Sequence, residues 1–198
     1  MKISICGNIA SGKSTLLANL ANAAPENYTT VPEPLDEWRL LEKFSTDPAK
    51  YAFAFSMEVL LSFAKLKSVP GALVVERSPV DTIHVFSDVL MKNGSLGKEE
   101  MQILQKYCDE YCWTPDVVIY VDTPAHVCYD RIEHRGRKGE DALSYEYIKC
   151  IDYSYKKALT TAYKNATVYT VSQEDGETHE DFASRVQTII LDHCREKK

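Results

Sequence analysis

Residues 7–14 read GNIASGKS, with Gly7 and Gly12 bracketing four residues and Lys13 and Ser14 following at once. Glycines let a backbone curl its N–H groups around an anion, and a helix that opens at the loop aims its positive end at the same point. A lysine there adds a point charge, and a serine hydroxyl can ligate Mg²⁺. The preceding run KISIC reads as a buried strand, and the residues from Ser14 onward carry a helical pattern. Strand, loop and helix in that order form the setting in which this spacing holds nucleotide phosphates. Gly7, Asn8, Ile9, Ala10, Ser11, Gly12, Lys13, Ser14 and Thr15 are therefore the expected contacts to the phosphates of ATP.

Three further stretches carry charge where chemistry needs it. Glu33, in PEPLDEW, follows a short strand. Open α/β sheets bind ligands at the carboxyl ends of their strands, and a carboxylate there can take a proton from an attacking hydroxyl. Glu76 and Arg77, in VVERSPVD, close a strongly apolar strand. The acid can hold Mg²⁺, directly or through water, and the arginine can stabilise charge on a phosphoryl group. Arg131, Arg135, Arg137 and Lys138 crowd DRIEHRGRKGED, as in a segment that closes over phosphates and excludes water. Each stretch alone has a plainer reading, as a solvated turn acid, a structural ion pair or a charged helix face. The four together point to phosphoryl transfer.

The elements that must position these groups follow from periodicity. Strands are expected at 2–6, within 29–34, and at 72–76, 116–122 and 166–171. Helices are expected at 14–24, from Asp47-Pro48 to about 67, and at 80–91, 98–111, 124–134, 144–163 and 178–196. Strands alternating with helices predict a five-stranded parallel sheet covered on both faces, in one domain over 1–198. The long helix carries Phe53, Phe55, Val59, Leu60, Leu61 and Phe63, which exceeds one apolar face; such a helix is buried on more than one side.

A net charge of −6, from 23 basic and 29 acidic residues, argues against nucleic acid as a partner. No apolar run approaches the ~20 residues of a membrane span. The first strand leaves no room for a leading targeting segment, which predicts a cytoplasmic protein. The six cysteines lack C-x-x-C spacing and are expected to be buried thiols rather than a metal site.

GNIASGKS, EP…EW, DP, ERS, NGSL and RGR stand in the order, and close to the spacing, of the deoxynucleoside kinase family, which the chain resembles over roughly 3–150. This is the group of the deoxycytidine, deoxyguanosine, mitochondrial-type thymidine and insect multisubstrate kinases. The resemblance implies a P-loop kinase three-layer sandwich with an Arg-rich lid at about 131–141, Mg²⁺ as cofactor, ATP and a deoxynucleoside as substrates, and a homodimer built on the helices near 48–66 and 80–92. It assigns Glu33 as catalytic base, with Arg77 supporting it and Lys13 on the phosphates. Ser14 and Glu76 fall near the metal. Arg131, Arg135 and Arg137 fall on the phosphates, Trp38 on the nucleoside, and Glu140 on the sugar 3′-hydroxyl. The loop 172–178 would cover the adenine of ATP.

The base end departs from the family. Ser56 stands where a glutamine pairs with the base, Ser45 near a tyrosine for the sugar, and Ile83 in place of an arginine. Met57 or Glu58 is a candidate substitute for the missing glutamine, and Asp81 for a pocket carboxylate. Phe55, Ser56, Val59, Phe63 and Thr82 are the expected pocket lining. Without the arginine and aspartate that deoxycytidine-type enzymes place at positions 63 and 82, the pocket leans toward thymidine or pyrimidines generally. Two other functions compete: a nucleoside monophosphate kinase, which needs cations for the acceptor's own phosphate, and a non-catalytic nucleotide-binding relative.

Overall fold

The computed structural model describes residues 1–23, 26–137, 140 and 143–196; Ala24 and Pro25, and Lys138, Gly139 and Asp141 of the expected lid, lie outside them. Five strands, β1 (Lys2–Cys6), β2 (Thr29–Val31), β3 (Leu73–Glu76), β4 (Val117–Val121) and β5 (Thr167–Val171), form one sheet in the order β2-β3-β1-β4-β5. Every pairing is parallel. The helices are α1 (Lys13–Ala23), α2 (Leu41–Thr46), α3 (Pro48–Ala64), α4 (Pro79–Asp81), α5 (Asp88–Lys92), α6 (Lys98–Tyr111), α7 (Ala125–Arg135), α8 (Tyr145–Thr161) and α9 (His179–Glu196). This is the three-layer sandwich that the sequence predicts.

Strand alternation divides the core. Ile3, Ile5, Val117, Ile119 and Val121 pack with Leu16, Leu17 and Leu20 of α1 and Val186 and Ile190 of α9. Cys6, Val118 and Tyr120 pack with Val85, Val89, Ile151 and Tyr155 across the other face. Burying each large aliphatic side chain contributes about 1.5–3 kcal/mol, so both helical layers are held to the sheet. Ile5 pairs with Glu76, and Val31 with Val75. That register brings the carboxyl ends of β1, β2 and β3 together, and with them the glycine loop, Glu33 and Arg77.

Two local features differ from expectation. A 3₁₀ turn (Leu35–Glu37) and α2 fill the stretch between Glu33 and Asp47. The helix expected at 80–91 passes through a π-helical segment, Thr82–Ser87, a geometry concentrated at functional sites. α3 starts as predicted, with Asp47 accepting the Lys50 N–H at 3.2 Å and Pro48 in the first turn. Its excess apolar surface is largely buried within the chain. Ala52 and Leu60 pack with Ile83, Leu90 and Leu104, while Val59 and Phe63 pack with Leu73, Val75 and Trp113. Leu61 stays exposed.

Candidate active site

The loop between β1 and α1 is bent by backbone geometry that few residues accept. Gly7 has φ +147°, and a Cβ there would lie 2.7 Å from the Val121 carbonyl oxygen. Ala10, with φ 59°, takes a left-handed conformation costly for a residue with a Cβ, by about 1–3 kcal/mol. The Asn8 side chain is buried; its Nδ2 donates to the Ile148 carbonyl at 3.0 Å and its Oδ1 accepts from the Ile9 N–H at 2.8 Å. Asn8 thereby ties the loop to α8. Lys13 Nζ donates to the Asn8 carbonyl at 2.6 Å and to Ser11 Oγ at 3.5 Å. Burial, with Arg77 nearby as the next cause, lowers the Lys13 pKa to about 8. Ile9, Ala10, Gly12, Lys13, Ser14 and Thr15 line a cleft of about 660 Å³. Gly7, Asn8 and Ser11, expected as direct phosphate contacts, lie behind that surface and shape the loop.

In the same cleft, Arg77 Nη1 donates to Glu33 Oε2 in a nearly buried ion pair. Desolvation raises the Glu33 pKa above the ordinary carboxylate range, against the opposing pull of Arg77. A carboxylate shifted in this direction holds a proton more readily than one in water, which suits a general base. Arg77 itself has φ 61°, an unusual strain for a long side chain, and its N–H donates to the Ile5 carbonyl at 2.9 Å. Ser14 Oγ donates to Glu76 Oε1 at 2.8 Å. A hydroxyl and a buried carboxylate side by side are hard oxygen donors. Mg²⁺ needs only one or two such protein ligands when phosphates supply others, so these residues fit the ion that the sequence implies.

The far end of the cleft is aromatic. Trp38, Phe44, Phe55, Val59, Phe63 and Leu90 line it, with Ser45, Ser56 and Thr82 as small polar groups. Phe55 stacks on Phe44 (centroids 4.7 Å apart) and meets Trp38 edge-on at 5.7 Å. Trp38 is fixed in turn by an Nε1–H bond to Ser62 Oγ at 3.3 Å. The suggested substitutes for glutamine do not enter the cleft. Met57 packs into the helical core, and Glu58 accepts the backbone N–H groups of Arg39 and Leu40 at 3.0 and 2.9 Å. Its carboxylate is used to hold the start of α2. Asp81 is likewise engaged: its Oδ2 accepts from Ser78 N and Oγ, both at 2.6 Å. Ile83 is fully buried in the helical core.

Arg131, Arg135, Arg137 and Glu140 all border the cleft. Arg131 Nη1 lies 3.4 Å from the Ala10 carbonyl. Glu140, expected on a sugar hydroxyl, accepts from Arg135 Nη2 at 2.6 Å and lies 3.9 Å from Arg137. The 172–178 loop is braced by Glu177, which accepts from Glu174 N at 2.9 Å and pairs with Arg185 at 3.0 Å.

Sequence reasoning missed several lining residues: Leu35, Phe44, Phe86, Leu90, Tyr147 and His179. They come from elements distant in the chain and carry no motif, although NGSL marked the turn after Leu90. Burial pushes the Tyr147 phenol up to about 12. The cysteine expectation needs correction: Cys150 is exposed, and Cys108 and Cys194 are only half-buried. Among the described residues no cluster of three or more His, Cys, Asp or Glu could hold a metal, and no helix is long and apolar enough to cross a membrane.

The family model described as deoxynucleoside kinase matches residues 3–196. Protein 029R of Invertebrate iridescent virus 3, itself named as a kinase, is 34% identical over 162 residues, covering 80% of this chain and 82% of that one. The thymidine kinase of Ictalurid herpesvirus 1 is 30% identical over 169 residues, covering 79% and 73%. A deoxyadenosine kinase from M.mycoides, solved with products dCMP and a flexible dCDP bound, superposes with a TM-score of 0.83 at 19% identity, covering 97% of this chain and 99% of that one. The chain belongs to the deoxynucleoside kinase family.

Proposed function

We propose that this deoxynucleoside kinase transfers the γ-phosphoryl group of ATP to the 5′-hydroxyl of a deoxynucleoside, giving the 5′-monophosphate in nucleotide salvage in the cytosol. The observation that carries this reading is the Glu33–Arg77 pair, which shares one cleft with the Lys13 loop. Loop N–H groups and Lys13 hold the phosphates of ATP. Glu33 accepts the 5′-hydroxyl proton as the oxygen attacks, while Arg77 keeps the carboxylate ionised and offers positive charge to the transferring group. Ser14 and Glu76 would hold Mg²⁺, which supplies charge neutralisation on the phosphates. Arg131, Arg135 and Arg137 complete a cationic wall that favours transfer over hydrolysis once water is excluded.

The acceptor end supports a nucleoside over a nucleotide. Its lining is aromatic and aliphatic, while the lining cations gather around the glycine loop, Glu33 and Glu140. Thr82 and Phe63 offer no charged pair to an exocyclic amine, which favours thymidine or another pyrimidine. The reading includes a homodimer built on the helices near 48–66 and 80–92, which would cover exposed Leu61 of α3; sedimentation at monomer mass would remove that part alone. The function is tested by labelled phosphoryl transfer from Mg·ATP to thymidine, deoxycytidine, deoxyadenosine, deoxyguanosine and thymidine monophosphate, side by side. Product from nucleosides, with thymidine leading and none from the monophosphate, is expected. Product from the monophosphate alone would overturn the acceptor assignment.

A further inference from the structure

Arg77 is held on more sides than an ion pair requires. Nη1 meets Glu33. On the opposite flank Nε donates to the Tyr155 hydroxyl at 3.3 Å. The guanidinium carbon lies 4.9 Å from the centre of the Phe86 ring, so one face is covered as well. A guanidinium bonded through Nη1 alone can still pivot about that contact. A second bond at Nε fixes its plane, because Nε and Nη1 lie in one rigid fork.

Tyr155 is built to be that second point. It lies in the middle of α8 and is fully buried. Its ring stands edge-on to Phe86 at 6.3 Å and against Tyr120 at 5.7 Å. These contacts leave the phenol oxygen little freedom to follow a moving arginine. Aromatic rings in such arrangements are rigid and well ordered. No sequence motif marked Tyr155, and it is not among the residues that line the cleft.

We propose that Tyr155 is a positioning residue for the reaction: its hydroxyl fixes the plane of Arg77, and through Arg77 the direction of the Glu33 carboxylate. The inference rests on the kinase reading above and adds a residue to it. Tyr155 touches neither substrate, so its effect falls on turnover rather than binding.

The test is Y155F, which removes one oxygen and keeps the ring. Losing a hydrogen bond to a charged partner is expected to lower kcat about tenfold or more, with the KM values for ATP and nucleoside unchanged. The acid limb of kcat/KM should move to higher pH, because a looser Arg77 supports the ionised Glu33 less. In an Arg77→Lys background Y155F should cost nothing further, since lysine has no Nε–H in that fork. Y163F is the control: Tyr163 is also buried and lies 3.3 Å from Ser78 Oγ, so it can change the thermal midpoint but not the acid limb. Unchanged kcat in Y155F, or equal losses in Y155F and Y163F, would overturn the proposal while leaving the kinase reading intact. Absence of transfer by the wild-type chain would sink the kinase reading itself.

Discussion

The two ends of the cleft are built by different means. At the phosphate end, Gly7 to Thr15 are contiguous, and Glu33, Glu76 and Arg77 sit at the ends of neighbouring strands. Positive φ at Ala10 and Arg77 shows strain held by the surrounding structure. At the base end, Phe44, Phe55, Val59, Phe63, Thr82 and Leu90 arrive from α2, α3, the π-helical segment and α5. None of these residues has positive φ; rings and small hydroxyls fill a wall. On the proposed reading, chemistry is set by backbone geometry at strand ends, and recognition by how helices pack. The first should tolerate almost no change, and the second should retune.

A large break in that contrast is expected from Lys13→Ala. Removing a preorganised charge at the phosphates should cost about 10²–10³-fold in kcat/KM. Steady-state kinetics alongside a thermal melt would check it, and a loss confined to nucleoside KM would contradict the assignment. Next comes the pH profile. Glu33 must be ionised to accept a proton, and its pKa is raised, so kcat/KM should fall with acid from above the ordinary carboxylate range. Lys13 must be charged, and its pKa is lowered to about 8, so the alkaline limb should begin near there. A profile flat from pH 5 to 9 would break both roles.

The smallest effect belongs to the base end. Ser56→Gln adds an amide to a wall that has small hydroxyls. The expected result is a severalfold change in nucleoside KM and in the ranking of bases, with ATP KM untouched, since such pocket changes are worth only about 1–3 kcal/mol. Competition assays among the nucleosides would show it. A changed ATP KM would mean that the two ends are coupled rather than separate.

The same division decides what was legible in the sequence. The glycine loop could be read because its determinants are adjacent and its flanking strand and helix are strongly patterned. Strand ends at Val31 and Glu76 placed Glu33 and Arg77 for the same reason. The π-helical turn at Thr82–Ser87 was invisible, because it follows from how Ile83, Val85 and Phe86 pack rather than from local propensity. Glu58 looked like a pocket residue because the short α2, just before which it accepts the Arg39 and Leu40 N–H groups, had not been foreseen. Tyr155 lies 78 residues from Arg77, and no spacing rule connects them.

The central claim is that the Glu33 carboxylate takes the acceptor's proton. Glu33→Gln tests it most directly, because glutamine keeps the shape and an oxygen for Arg77 but loses basicity. Single-turnover transfer and ATP binding should be measured on the same preparation. Transfer slower by about 10²–10⁴-fold, with ATP affinity unchanged, is expected. Wild-type transfer by Glu33→Gln would contradict it.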